Sequence, residues 1–212
     1  MSVWVRLLHL LAGWGSVGLV YFSSDLLQGQ GVLLPETALD RAITYTDSAI
    51  WLYLSFFILI PYAYLVAQPH RVRWLARAMA LSAVMCGVVF LLYPTTLAYP
   101  PVGEGTGWST QMLRLLQAAD STQNCLPSLH GALTLLCVWA LIERERPLRS
   151  ALSVLLGLGI AYAIIALRRH LSIDLAAGLL VGLAGGMLAK IQVSLPGRRA
   201  HKQRSASSGI AP

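Results

Sequence analysis

Long apolar blocks separated by short polar stretches make up most of this sequence. A membrane-spanning helix needs about 20 mostly apolar residues, and somewhat fewer where neighbouring helices support it. Six blocks fit that description, and we predict spans at about 3–23, 48–67, 78–93, 128–142, 151–167 and 173–193. The pattern therefore predicts an all-α, polytopic membrane protein whose core is a six-transmembrane-helix bundle.

We expect residues 1–195 to form one membrane domain, since a single domain is the default at this chain length. The first block begins like a signal peptide, but no clear small-x-small cleavage site precedes the polar stretch that follows it. We therefore expect this block to be retained as a span. Residues 196–212 are rich in Arg, Ser and Gly, which predicts a disordered, basic, cytoplasmic tail.

The composition agrees with a membrane protein. Hydrophobic residues make up 56% of the chain and charged residues only 12%, whereas soluble domains carry about 25% charged residues. The net charge of +7 does not indicate a nucleic-acid partner, because the basic residues lie in short clusters between apolar blocks rather than in one patch. We expect membrane lipids as the surroundings and no nucleic-acid binding.

The distribution of basic residues predicts the orientation of the spans. With six spans, the loops at 68–77 and 143–150 and the tail lie on one side and together hold ten lysines and arginines, whereas the opposite loops hold four. The positive-inside rule then places both termini in the cytoplasm. We expect an integral protein of a bacterial inner (plasma) membrane, with the long polar loops 24–47 and 94–127 outside.

A first candidate motif runs from Asn124 to His130 with the sequence NCLPSLH and opens the fourth predicted span. Proline suits the first turn of a helix. The free N–H groups of that turn, together with the helix dipole, favour an anion. Ser128 and His130 would then stand where a phosphate can dock. The alternative is a plain helix start that carries an interfacial histidine.

A second candidate motif runs from Arg168 to Asp174 with the sequence RRHLSID, between the fifth and sixth predicted spans. His170 and Asp174 are four residues apart, so on a helix they share one face. Asp174 could accept a hydrogen bond from one ring nitrogen and leave the other as a nucleophile. A histidine–aspartate pair that merely closes a loop is the structural alternative. With six spans, both motifs lie at the outer face.

The two motifs together resemble those of the type 2 phosphatidic acid phosphatase (PAP2) superfamily. The resemblance rests on the sequence PSLH, which ends at His130, and on the spacing of four residues from His170 to Asp174. The longer stretch QNCLPSLH is most similar to the superfamily's inositol-phosphorylceramide synthase-like branch, as are DRAI from Asp40 and WLYL from Trp51. The resemblance covers about residues 40 to 180.

The resemblance implies a six-helix bundle with a metal-independent site at the membrane surface. It implies that His170 is the nucleophile, that Asp174 orients it, and that His130 is the general acid for the leaving group. It further implies that Ser128 binds phosphate through its hydroxyl or its N–H. No metal and no cofactor are expected.

The sequence departs from the superfamily pattern in its arginines. The first motif, a Lys or Arg followed seven residues later by Arg-Pro, is missing from the outer loops, and Ile164 stands where an arginine precedes the nucleophile by six residues. A phosphorylated histidine needs compensating positive charge. Arg168 and Arg169 are the nearest candidates for phosphate binding, with interfacial snorkelling as their alternative role.

These residues predict a membrane-embedded lipid phosphatase that cleaves a phosphate ester or anhydride through a phosphohistidine. A lipid phosphotransferase that moves a phospho-head group to an alcohol such as inositol is the alternative, because the same acid–base pair serves both reactions. A non-enzymatic transporter or a haem-binding subunit is an alternative from another class. The expected partner is a lipid phosphate substrate.

Overall fold

The structure, a computed structural model, describes residues 1–103 and 105–194. Its elements are helices α1 (Val3–Leu27), α2 (Ala38–Ala42), α3 (Ile50–Val66), α4 (Pro69–Leu92), α5 (Trp108–Ala119), α6 (Leu129–Leu141), α7 (Pro147–Ala166) and α8 (Ser172–Ser194), with short strands β1 (Val32–Leu33) and β2 (Thr95–Thr96). A 3-10 turn at Asp47–Ala49 leads into α3. The tail predicted at 196–212 lies outside the described residues.

Five helices in the described part of the chain are long and apolar enough to cross a membrane: α1, α3 with its leading turn, α4, α7 and α8. Helix α6 is apolar but has only 13 residues, or about 20 Å at 1.5 Å per residue, which is less than the roughly 30 Å of a bilayer core. The expectation of an all-α membrane protein is confirmed. The count of six full-length spans is not, because α6 is too short by itself.

Helix α4, the third candidate membrane helix, begins at Pro69, nine residues before the predicted start of the span at about 78. The expected loop 68–77 is therefore mostly helical. Proline at the first helical position starts the helix. Arg71 is accommodated in the first turn because its guanidinium donates to the carbonyls of Trp139, Ala140 and Ile142 at the end of α6.

Other arginines bind helix ends at the same end of the bundle. Arg6 donates to the carbonyls of Tyr64 and Ala67 at 2.8 Å each, and Arg149 donates to the carbonyls of Val66 and Leu141. The last carbonyls of a helix have no partner within it, and cations there also stabilise the dipole. The basic clusters read from the sequence as topology signals therefore also cap α3 and α6.

Helix α8 packs closely on α6 because glycines line its contact face. A Cβ added at Gly178 would lie 2.1 Å from the carbonyl oxygen of Ser128, and one at Gly182 would lie 2.8 Å from that of Ala132. Small residues allow such close backbone approach between membrane helices. Gly178 and Gly182 thus set the distance between the helix that carries His130 and the one that carries Asp174.

The loops at the opposite end of the bundle pack together over it. Strands β1 and β2 form a short parallel ladder, and Thr96 bridges to Gln123. Helix α5 packs against α3 and the turn before it. The hydrogen bond from Thr46 N–H to the carbonyl of Ala166 ties the first loop to the end of α7. Both candidate motifs lie at this end.

Candidate active site

The start of α6 is fastened to the start of α8 by Ser128. This residue is the N-cap of α6, and its Oγ accepts from the N–H of Gly131 at 3.2 Å. Its own N–H donates to the carbonyl of Asp174 at 2.9 Å. Pro127 lies before the cap rather than in the first helical turn, which corrects the sequence interpretation. Because the N–H of Ser128 is already bound to α8, the prediction that Ser128 binds phosphate depends on its hydroxyl.

His170 lies just before α8, and its Nδ1 is held by two acceptors. Asp174 Oδ2 lies 2.9 Å away and the carbonyl oxygen of Cys125 lies 3.1 Å away. A backbone carbonyl can only accept a hydrogen bond, so Nδ1 carries the hydrogen. In the neutral ring, Nε2 therefore holds the free electron pair. Asp174 is fully buried at the base of this pair.

His130 faces that free electron pair. Its Nδ1 lies 3.2 Å from Nε2 of His170. Because Nε2 of His170 is the acceptor, the hydrogen between the two rings belongs to His130 Nδ1. The hydroxyl of Tyr53 then donates to Nε2 of His130 at 2.9 Å. One directed chain of hydrogen bonds runs from Tyr53 through both histidines to Asp174.

A comparison with protein families agrees with this arrangement. The model of the PAP2 superfamily matches residues 30–188, about three-quarters of the chain. The chain belongs to the PAP2 superfamily. None of the curated proteins compared with it gives a significant match. Membership together with the five long apolar helices makes this an integral membrane protein, and a phosphatase-type lipid phosphoesterase at the superfamily level.

Arg169 directly precedes His170 in the chain and carries a buried guanidinium. It is only 2% exposed, its Nη2 forms an ion pair with Asp120, and its guanidinium carbon lies 3.9 Å above the ring centroid of Tyr99. Among the described residues, Nε and Nη1 have no hydrogen-bond partner. The Tyr53 hydroxyl lies beside the guanidinium without meeting hydrogen-bond geometry. Two buried donors are thus free to bind an anion.

The charge of Arg169 is secured by its neighbours. Burial by itself lowers the pKa of this guanidinium, but Tyr99 and Asp120 outweigh burial and raise the pKa above its ordinary value. Burial and the negative charge of Asp174 raise the pKa of the Cys125 thiol, which favours the neutral form of that group. Cys125 therefore stays protonated beside His170, and the nucleophile of this site is not a thiolate.

Arg168 has a different place from the one predicted for it. Its Nε pairs with Glu36 at 2.9 Å, and its terminal nitrogens donate to the carbonyls of Ile165, Asp40 and Ile43. The backbone of Arg168 has a positive φ of 53°. Arg168 thus joins the loop between α1 and α3 to the end of α7, and phosphate binding by this residue stays a prediction.

Asp40 holds the second motif in position. In the sequence it was noted only as the first residue of DRAI, which is similar to the inositol-phosphorylceramide synthase-like branch. It is fully buried, and its carboxylate accepts from the N–H and hydroxyl of Ser172 at 2.7 and 3.1 Å. Burial by itself raises the pKa of Asp40, but hydrogen bonds from Thr37 and Ser172 outweigh it and hold the pKa below its usual range. Asp40 thus caps α8 from another part of the chain.

Sequence reasoning assigned no role to Tyr53 and Asp120. Tyr53 lies in the WLYL stretch, which is similar to the inositol-phosphorylceramide synthase-like branch. That similarity was the sequence signal that could have identified Tyr53. Asp120 lies in the long polar stretch 94–127, and nothing in its sequence neighbours indicated a contact with Arg169, 49 residues away. Within residues 1–103 and 105–194, no group of three or more His, Cys, Asp or Glu side chains converges in a way that could hold a metal ion.

Proposed function

We propose that this PAP2 protein is a lipid phosphatase that works through a phosphohistidine on His170. The observation that carries the proposal is the chain of hydrogen bonds from Asp174 to His170 and on to His130. It leaves one nucleophilic nitrogen, and it places a donor directly beside that nitrogen. Nucleophile, orienting carboxylate and acid then have the relationship that covalent catalysis requires.

In the first half-reaction, Nε2 of His170 attacks the phosphorus of a lipid phosphate. The new N–P bond forms as the P–O bond to the lipid breaks, and the electron pair of that bond stays on the lipid oxygen. Protonated His130 gives the hydrogen on Nδ1 to this oxygen, so a neutral lipid alcohol departs. Asp174 stabilises the positive charge that His170 gains, because the two groups are 2.9 Å apart and buried.

In the second half-reaction, neutral His130 takes a proton from water as the water oxygen attacks phosphorus. The N–P bond breaks and its electron pair returns to Nε2 of His170. The free donors of Arg169 would bind the phosphate oxygens in both steps. Once His130 is protonated on both nitrogens, its Nε2–H donates to the hydroxyl oxygen of Tyr53, and this contact survives both steps because only the Nδ1 hydrogen moves.

The six-span arrangement and its orientation belong to the same proposal. Helix α6 would cross the membrane together with the polar residues at its two ends, which gives six crossings. Both termini would then be cytoplasmic and the site would face outside, as the basic clusters favour. A reporter that functions only in the cytoplasm should be active when it is fused after residue 212. An inactive reporter, with a matching extracytoplasmic reporter active at the same position, would contradict this orientation.

The direct test is phosphate release by the protein purified in detergent, from a panel of lipid phosphates. His170→Ala and His130→Ala should each remove most of the activity, and a metal chelator should leave the wild-type rate unchanged. Acid-quenched samples should not retain labelled phosphate on the protein, whereas base-quenched ones should, because a phosphorus–nitrogen bond is labile to acid. Full activity in both histidine variants would refute the mechanism.

A second candidate is transfer of the phospho-head group to an alcohol such as inositol. Asp120 favours it, because this carboxylate is partly exposed and lines the same cavity as His130. A carboxylate repels phosphate but accepts hydrogen bonds from hydroxyl groups. The branch resemblance of QNCLPSLH points the same way. Adding inositol should then give a new lipid product, and Asp120→Asn should reduce that product more than it reduces phosphate release.

The haem-binding alternative has no geometric support. The ring nitrogens of His130 and His170 face each other at 3.2 Å, and their ring centroids are 5.3 Å apart. A macrocycle cannot stand between rings at this separation. The absence of a Soret band from the purified protein would agree, and a strong band that disappears in His130→Ala would argue for this alternative.

A further inference from the structure

A cavity of about 310 Å³ begins at His130 and runs between α1, α3, α5 and α6. Its polar end holds His130, Asp120 and Tyr21, whose hydroxyl donates to Asp120 at 3.0 Å. Away from that end the lining is aromatic and aliphatic and includes Trp14, Phe56 and Phe57. The phosphatase mechanism uses the polar end of this space at His130 and Tyr53 but assigns no role to its apolar end. It is a candidate binding site with one polar and one apolar end.

The cavity reaches the outer surface of the bundle. Gly18 and Phe57 line it and are both exposed, on helices α1 and α3. A Cβ placed on Gly18 would meet no other atom within 4 Å. Helices α1 and α3 are candidate spans, so this opening faces the hydrocarbon of the bilayer rather than water.

The direction of the cavity follows from the residues of α1 that line it. Trp14 and Tyr21 are seven residues apart, which is about 10 Å along a helix. Tyr21 is at the polar end with Asp120, and Trp14 is deeper. The cavity thus descends from His130 by about one-third of the thickness of a bilayer core.

We infer that this cavity binds the hydrocarbon chain of the lipid phosphate, with the chain entering sideways from the bilayer past Gly18. The inference rests on the proposed function, because His130 is there the acid that protonates the oxygen of the departing lipid. That oxygen must lie against His130, so the chain attached to it begins where the cavity begins. The size, at the low end of the range for small-molecule sites, suits one chain rather than two.

Helix α1 forms part of the cavity wall but lies outside the region that matches the superfamily. It supplies Trp14, Gly18 and Tyr21 to the wall, and it lies before residue 30, where the match to the PAP2 superfamily begins. Selection of the substrate chain would therefore depend on residues outside the matched region, whereas the phosphate chemistry depends on residues within it.

Gly18→Leu tests the inference, with Gly15→Leu as a matched control. Both glycines are exposed on α1, and an added Cβ meets no atom within 4 Å at either, but only Gly18 lines the cavity. Gly18→Leu should lower kcat/KM for hexadecyl phosphate about tenfold, as expected for displacing roughly two buried methylene groups. Gly15→Leu should keep the wild-type rate with both substrates, and Gly18→Leu should lose less activity towards butyl phosphate than towards hexadecyl phosphate.

A binding measurement separates this inference from the proposed function. A hexadecylphosphonate that carries a diazirine on its chain cannot lose its alkyl group, so its crosslinks report binding without turnover. Crosslinks to Trp14 and Phe57 that excess hexadecyl phosphate removes, and that Gly18→Leu but not Gly15→Leu abolishes, would support the inference even for a protein without phosphatase activity.

Three results would overturn it. Crosslinks spread over exposed faces and equal in both variants would show that the chain does not use the cavity. Displacement of the crosslinks by inositol would make the cavity an acceptor site. Equal loss of hexadecyl phosphate hydrolysis in both variants would show a nonspecific effect of α1. In each case phosphate release that depends on His170 would leave the proposed function standing.

Discussion

Nδ1 of His130 lies 3.2 Å from Nε2 of His170, although 40 residues separate the two along the chain. The contact is held from both sides. Asp174 and the carbonyl of Cys125 fix the tautomer of His170, and Tyr53 binds the far nitrogen of His130. Each ring is therefore restrained in orientation before substrate arrives, which reduces the entropy lost on reaching a reactive geometry.

Asp174→Asn should lower kcat by roughly 10²–10⁴-fold with little change in KM, the range seen when an orienting carboxylate or an acid–base group is disabled. The amide retains the size of the side chain but not the charge that stabilises His170 as it is phosphorylated. Steady-state hydrolysis of a lipid phosphate measures the effect. The matched control is Asp25→Asn, whose carboxylate contacts Gln28 and Ser121 at the same end of the bundle. Equal activity of the two variants would remove Asp174 from the mechanism.

Tyr53→Phe should slow the release of poor leaving groups about tenfold, the effect of one hydrogen bond of ordinary strength. The loss should be smaller for nitrophenyl phosphate, because a good leaving group needs less help from His130. Comparison of kcat for alkyl and nitrophenyl phosphates gives the readout. Tyr62→Phe is the control, since Tyr62 lies on the same helix but lines a different cavity. An equal reduction for both substrates would mean that Tyr53 does not act through His130.

Arg169→Lys should weaken inhibition by inorganic phosphate and lower kcat/KM about 10- to 100-fold, because an ammonium cannot replace a planar fork of donors. Arg168→Lys should leave both quantities close to wild type but lower the melting temperature, since it loses contacts to Glu36 and to three carbonyls. Inhibition constants and thermal melts in detergent distinguish the two. Phosphate binding that weakened more in Arg168→Lys would reverse the assignment.

Asp40→Asn should destabilise the protein in a pH-dependent way. Because the pKa of Asp40 is lower in the folded state, its carboxylate contributes stability that is present above the unfolded pKa of about 4 and is lost as the pH falls through the folded value. The melting temperature of the variant should therefore lie below that of wild type at pH 6, and the gap should narrow below about pH 4. A gap that stayed constant through this acid range would show that the charge of Asp40 contributes nothing.

Helix boundaries show where the sequence pattern reached its limit. Arg71, Arg73 and Arg77 made the stretch before Ala78 read as a loop, yet α4 begins at Pro69. A hydropathy pattern counts only the free-energy cost of placing an arginine in an apolar segment. In the folded protein, Arg71 donates hydrogen bonds to carbonyls at the end of α6 that need donors, and these bonds offset that cost. The outer loops were read as polar coverings, and the short parallel ladder between β1 and β2 had no signal in their sequence.

The sequence by itself determined that the chain is a membrane protein, which blocks are its helices, and that His130, His170 and Asp174 are candidates for chemistry. Hydropathy and i,i+4 spacing are local properties, so they can be read along the chain. Only the tertiary structure decided which nitrogen of each histidine faces the other and that Arg169 rather than Arg168 has free donors. It alone also brings Tyr53 to His130, Asp40 to Ser172 and Asp120 to Arg169. These are contacts between residues far apart in sequence, and the packing of α6 on α8 through Gly178 and Gly182 sets the distance between the helices that carry them.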